Sequence, residues 1–187
     1  DQIELANLQR QIAFEQSWLG NSKAERLAER VRAINPEIIV NAVNRRVDGD
    51  DLSQLVSEST LVLDCTDNFN TRFALNRASV SSKVPLVSGA AIRGEGQLSV
   101  YDPRHPESPC YHCLYPEQGN EDLTCSEAGV IAPLVGMIGS AQAMEAIKVI
   151  SEVGRPLVGR LLLLDAWQME WREMKLAKDP DCSVCAG

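Results

Sequence analysis

At 187 residues the chain is long enough for one domain that buries its own core without help from disulfides. Its 18 basic and 26 acidic residues, a formal net charge of -8, argue against a nucleic-acid surface and leave any anion site to a few placed cations. No basic-then-apolar secretory signal opens it, so its six cysteines are expected in a reducing, cytoplasmic setting where metal binding or catalysis outranks disulfides.

Asp1 to Gln11 opens with an Asp-x-Ile-x-Leu pattern that reads as the exit from a strand, so the chain is expected to begin inside a fold. Ser22 and Glu25 form a capping box before Leu27, Val31 and Ile34 at helical spacing, and Asn35-Pro36 stops the helix. Lys23 then falls in the first helical turn, against the helix dipole. An anion bound at that helix start would explain it; a solvated lysine on an exposed turn is the alternative.

Residues 38–43 read as a strand, 50–57 as a short helix and 60–65 as an apolar strand buried on both faces. That strand ends in Thr66-Asp67-Asn68. Ligands of open α/β sheets gather at strand carboxyl ends, where Asp67 could hold Mg²⁺ beside a phosphate; a plain turn capping the next helix is the competing reading. A helix is expected over 70–82, a buried strand over 85–91 and a strand with a wet face over 95–101. The alternation predicts a doubly wound, mostly parallel, Rossmann-like α/β sheet, extended by antiparallel strands at 159–165 and 170–176. Residues 131–150 are apolar, yet Gln142, Glu145 and Lys148 lie along one side, which favours a buried or interface helix over a membrane span.

The polar segment 102–130 is too long for an idle connection and predicts a functional or metal-tied loop. It carries Cys110-Tyr111-His112-Cys113, and Cys182-Ser183-Val184-Cys185 repeats the spacing far downstream. Each pair can chelate one ion, and four thiolates close a tetrahedral structural zinc site. Paired redox thiols are the alternative, which a thioredoxin-type helix after one pair would favour. His112 reads as a bystander and Cys65 as a small core hydrophobe. Cys125 has no CxxC partner and is either a spectator or a nucleophile for a thioester or persulfide step. Arg10, Lys23 and Asp67 offer a guanidinium fork, a point charge and a magnesium ligand, the ingredients of a nucleotide-phosphate site.

Asn7-Leu8-Gln9-Arg10-Gln11, Leu63-Asp64-Cys65-Thr66-Asp67-Asn68, Cys110-x-x-Cys113, Thr124-Cys125-x-x-Ala128-Gly129-Val130 and Cys182-x-x-Cys185 follow one another as in the ThiF/MoeB/HesA family, the bacterial relatives of ubiquitin-activating enzymes. The chain resembles that family throughout. Ser88-Gly89-Ala90-Ala91-Ile92-Arg93 and Gln142-Ala143-Met144-Glu145-Ala146-Ile147-Lys148 look closer to its molybdopterin branch.

The resemblance implies ATP-dependent adenylylation of the C-terminal glycine of a small ubiquitin-like sulfur carrier ending in Gly-Gly. That carrier is expected to be the small subunit of molybdopterin synthase, in molybdenum cofactor biosynthesis, with the thiamine-pathway carrier as alternative. A non-catalytic, zinc-tied docking module is the rival from another class. The resemblance further implies that Ala6, Asn7, Leu8, Gln9 and Arg10 line the ATP site, that Lys23 holds phosphate oxygens, and that Asp67 with Asn68 binds Mg²⁺. Cys110, Cys113, Cys182 and Cys185 would hold Zn²⁺, and Cys125 matches a covalent carrier of some relatives. It also implies a homodimer, a carrier tail passing beneath residues 117–127, and a separate sulfur donor, without nucleic acid or membrane. Against the family pattern, Ala6 stands where Ser is common and no G-x-G-x-x-G is present. Asp1 aligns with the second residue of an Asp-x-Asp pair. The chain is therefore expected to be a single adenylyltransferase domain, 1–187, lacking the N-terminal helix, glycine-rich loop and first strands.

Overall fold

The computed structural model describes residues 1–116 and 129–186. Two compact units divide the chain, residues 1–47 and 48–187.

The first unit is built around α1 (Lys23–Ile34). Its cap is the predicted one: Ser22 Oγ accepts the Glu25 N–H at 3.3 Å. Main-chain bonds from Ile3 N to Asn21 O and from Gly20 N to Ile3 O, both 2.9 Å, lay residues 1–4 alongside 20–23 and bury Ile3. Leu5–Asn7 forms one 3-10 turn, closed by the Glu4 N–H donating to Asn7 Oδ1 at 3.2 Å. The predicted strand 38–43 is not one. A strand needs a neighbour to answer its N–H and C=O groups, and no strand of this unit runs beside it among the described residues. Instead the Arg32 guanidinium donates to the Val40 carbonyl, and Ile39 is 91% exposed.

The second unit carries α2 (Gly49–Ser57), β1 (Val62–Asp64), α3 (Phe69–Ser82), β2 (Leu86–Ile92), β3 (Glu95–Tyr101), α4 (Tyr111–Leu114), α5 (Ala132–Ser151), β4 (Arg160–Asp165) and β5 (Glu170–Lys175). The five strands lie in sequence order in one mixed sheet. β1 and β2 are parallel, joined through α3; β2–β3, β3–β4 and β4–β5 are antiparallel. A mostly parallel sheet is expected from the sequence, and the described sheet has one parallel pairing. The reason is local: only Arg93 and Gly94 separate β2 from β3, and so short a link can only reverse the chain. The antiparallel extension falls where predicted.

Two layers cover the sheet. On one face, Phe73 of α3 and Tyr111 of α4 pack on Leu86 and Tyr101. On the other, Leu134 and Ile138 of α5 pack on Leu164, and Val149 joins Val87, Leu98 and Val100. α5 comes close because β2 and β3 offer glycines: a Cβ on Gly96 would stand 2.6 Å from Ile138 Cδ1. With both faces covered, β3 is buried except at Glu95 and Gln97, so the wet face expected of it is absent. By length and composition α5 could cross a membrane. Here Gln142 and Glu145 are buried, Glu145 accepting the Leu157 N–H at 2.8 Å and pairing with Lys148. β1 is less enclosed than its apolar run predicts, with Leu63 45% exposed, because β2 is its one partner among the described strands.

Candidate functional site

The polar groups of the second unit converge where β1 ends. Asp64, fully buried, closes the strand with an Asx-type turn: Oδ1 accepts from Thr66 N at 3.0 Å and from Thr66 Oγ1 at 2.7 Å. Its Oδ2 accepts the Ser88 hydroxyl at 3.0 Å, and Arg72 Nε stands 3.8 Å from the same oxygen. Arg72 also donates to the Thr66 carbonyl, and Gln142 Nε2 to the Asp64 carbonyl at 2.8 Å. A buried carboxylate in an apolar strand is costly unless hydrogen-bonded and paired, and this one is both.

Asp67, the residue after this braced turn, is exposed. Asn68 caps α3 by accepting the Thr71 N–H at 2.9 Å. The turn-and-cap reading of Thr66-Asp67-Asn68 is thus realised, and it leaves the Asp67 carboxylate in solvent beside a helix start. Cys65 as a whole residue is exposed rather than in the core, while its sulfur is partly buried against Gln142, 3.9 Å from Oε1. Burial against its neighbours, then the Asp64 charge, push its thiol pKa up, which opposes a nucleophilic role.

The two CxxC pairs meet. Cys110 Sγ is 3.9 Å from Cys113 Sγ and 3.7 Å from Cys182 Sγ, Cys113 Sγ is 3.5 Å from Cys185 Sγ, and all four lie within 4.8 Å of one another. Tetrahedral coordination with metal–sulfur bonds of about 2.3 Å sets sulfurs about 3.8 Å apart, so the cluster has the dimensions of a closed metal site. Burial pushes the Cys110 thiol up to about 11. Desolvation pushes Cys182 the same way, but N–H groups of Val184 and Cys185 outweigh it and hold that thiol down at about 6. Asn76 of α3 supports the cluster, donating to Cys110 Sγ at 3.5 Å and accepting the Tyr111 N–H at 2.8 Å. His112 is a neighbour, its Nδ1 3.6 Å from Cys182 Sγ.

In the first unit, Arg10 Nη1 donates to the Ala6 carbonyl at 3.1 Å, which turns the guanidinium back along its own segment. Lys23 is tied to Asp1 twice, N to O at 3.0 Å and Nζ to Oδ2 at 3.3 Å. Asn7 is buried, while Ala6 and Gln9 are exposed and Leu8 is half-buried. Arg10 and Lys23 belong to the first unit, Asp67 and Asn68 to the second. Cys125 lies outside the described residues, as does the 117–127 segment expected over a carrier tail.

The sequence pattern of the ThiF family matches residues 1–184. The chain belongs to the ThiF family. It is 47% identical over 185 residues to a molybdopterin-synthase adenylyltransferase of Salmonella typhimurium, covering 99% of this chain and 74% of that protein. It is 38% identical to the sulfur carrier protein ThiS adenylyltransferase of Escherichia coli, covering all of this chain and 74% of that one. The fold matches the crystal structure of Escherichia coli MccB with ATP at a TM-score of 0.83 and 22% identity, and the chain spans 58% of that structure's length.

Within this ThiF-family chain, sequence reasoning missed Asp64, Arg72, Ser88 and Gln142, the residues that brace the turn before Asp67. One signal was present: an aspartate inside an apolar run must find partners or break the strand.

Proposed function

We propose that this chain catalyses ATP-dependent adenylylation of the C-terminal glycine of a small ubiquitin-like sulfur carrier. The observation that carries the reading is Asp67, an exposed carboxylate on a turn fixed by hydrogen bonds to the buried Asp64 and Arg72, in a ThiF-family chain whose relatives are named adenylyltransferases. Of the two carriers, the small subunit of molybdopterin synthase is favoured by the higher identity to molybdopterin-synthase adenylyltransferases, 47% and 48% against 38% for the thiamine-pathway relative.

The carrier's terminal carboxylate oxygen forms a bond to the α-phosphorus of ATP as the bond to the bridging oxygen breaks, giving acyl-adenylate and pyrophosphate. Arg10 and Lys23 carry positive charge for phosphate oxygens, and the 6–10 segment contacts the nucleotide. Asp67, flanked by Asn68, would hold Mg²⁺, which would offset phosphate charge. None of these groups moves a proton; their work is positioning and charge neutralisation. The four cysteines would hold Zn²⁺, whose preference for four thiolates fits the sulfur spacing, in a structural role. Sulfur would come from a separate donor in the cytoplasm. The exposed Met144, Ile147 and Ile150 of α5 support a homodimer.

Carrier-dependent ATP and pyrophosphate exchange tests the reading, with each carrier offered in turn to the full-length protein. Exchange with one carrier, reduced at least about 100-fold by Asp67→Ala, is expected. Absence of exchange with every carrier, in folded and metal-loaded protein, would leave a non-catalytic docking module.

A further inference from the structure

We propose that Gln142 of α5 is a positioning residue for the 65–68 turn that presents Asp67, an inference that rests on the adenylylation reading above. The residue is 5% exposed, and its carboxamide is inserted between the end of β1 and the start of β2. Nε2 donates to two carbonyls on neighbouring parallel strands, Asp64 O at 2.8 Å and Val87 O at 3.3 Å, while Oε1 faces Cys65 Sγ at 3.9 Å. From the opposite face of the sheet, Arg72 holds the Thr66 carbonyl, and Asp64 holds the Thr66 N–H. The peptide groups just before Asp67 are therefore gripped from both sides, one grip coming from a helix far away in sequence.

Packing alone does not account for an amide here. A leucine or methionine would fill similar space beneath the sheet without the cost of desolvating an amide, so the side chain is of use for its hydrogen bonds. The sheet also makes room for it: a Cβ on Gly89 of β2 would stand 2.8 Å from Gln142 Cγ. β2 thus gives up a packing side chain to admit a donor that fixes the last carbonyl of β1. Metal-binding side chains work only when held within about 0.5 Å of their productive position, and such holding falls to the groups behind them. Gln142 acts on Asp67 through the main chain of residues 64–66 and touches no substrate.

The test compares Gln142→Met with wild type in the full-length protein, and uses Ile138→Val, on the same helix, as a packing control. Two quantities are read: the Mg²⁺ concentration giving half-maximal ATP and pyrophosphate exchange, and the hydrogen exchange of the Thr66 and Asp67 amides. In Gln142→Met the Mg²⁺ requirement is expected to rise about tenfold with the carrier KM unchanged, a size typical of losing an orienting partner. The turn amides should exchange faster while those of α3 stay as they were, and Ile138→Val should change neither quantity. Gly89→Ala, which displaces the same carboxamide, should reproduce the change if Gln142→Met folds poorly. An unchanged Mg²⁺ requirement, or turn amides that exchange as in wild type, would overturn the proposal. If wild type lacks exchange with every carrier, the adenylylation reading falls, and the turn amides alone decide whether Gln142 fixes this turn.

Discussion

Asn76 joins the body of α3 to the cysteine cluster: its amide nitrogen donates to Cys110 Sγ at 3.5 Å while its oxygen takes the Tyr111 N–H at 2.8 Å. The side chain is 1% exposed, so both ends of the amide are committed to the first knuckle. Replacing it by leucine leaves a buried N–H without an acceptor and a sulfur without a donor. Asn76→Leu is expected to weaken zinc affinity about 10- to 100-fold, read by competition with a chromophoric chelator; an unchanged affinity would separate Asn76 from the metal site.

If the four cysteines hold zinc as proposed, its removal should act on the fold rather than on the chemistry. The cluster ties the segment after β5 to α4, and Cys113→Ser or treatment with a strong chelator is expected to lower the melting temperature and expose residues 176–186 to proteases. In protein that remains folded, the nucleotide affinity should stay within about twofold, since a closed four-sulfur site has no open position for substrate. Isothermal titration with a non-hydrolysable ATP analogue distinguishes the two roles.

Gly89→Ala should destabilise through a collision with one side chain. Forcing an extra carbon against Gln142 is expected to cost about 1–3 kcal/mol in chemical denaturation. Because the clash is with the Gln142 side chain beyond its Cβ, the cost should shrink in a Gln142→Ala background, and equal costs in both backgrounds would place the strain elsewhere.

Asn7 carries two claims that a single substitution separates. Its oxygen already accepts the Glu4 N–H, so Asn7→Ala should lower stability by about 1 kcal/mol through loss of that cap. If the side chain also meets nucleotide, as the proposed function has it, Asn7→Asp should keep the acceptor and the stability yet raise the KM for ATP. Unchanged ATP kinetics in Asn7→Asp would confine the residue to the cap.

Acid sensitivity has an identifiable contributor in Asp102. Burial works to raise its pKa, but the Arg104 guanidinium, with Nε at 2.9 Å and Nη2 at 2.7 Å from its oxygens, outweighs that and holds the carboxyl below the usual range. A depressed folded-state pKa gives stability that is complete above the unfolded value of about 3.9 and is lost as pH falls through the folded value. Arg104→Met should therefore remove about 1 kcal/mol at neutral pH, the half-exposed arginine keeping the figure small, and almost nothing at pH 2. Equal losses at both pH values would rule out the pair.

Much of the scaffold could be read from local chemistry. Ser22 and Glu25 mark the start of α1 because a cap is a contact three residues long, and the CxxC pairs mark their site because chelation sets their spacing. The strand expected at 38–43 failed because strand formation depends on a neighbour, which no local pattern reveals. Leu63 is exposed for the same reason. The bracing of Asp67 was illegible in another way. Arg72, Ser88 and Gln142 come from α3, β2 and α5, and only the sheet brings them to Asp64. Gln142 and Glu145 were legible as polar residues on a buried or interface helix, but their partners, the Asp64 and Val87 carbonyls, the Leu157 N–H and Lys148, were not.

The separation of the two knuckles sets an order of events during synthesis. Cys110 and Cys182 are 72 residues apart, so a ribosome adding about 5–20 residues per second takes roughly 4–14 s to deliver the second pair after the first. Through that interval the nascent chain holds Cys110 and Cys113 as an open two-thiolate clip, able to pick up an ion but not to enclose it. The clip closes only after α5, β4 and β5 have been made, so a sealed site certifies that the rest of the sheet has already been translated.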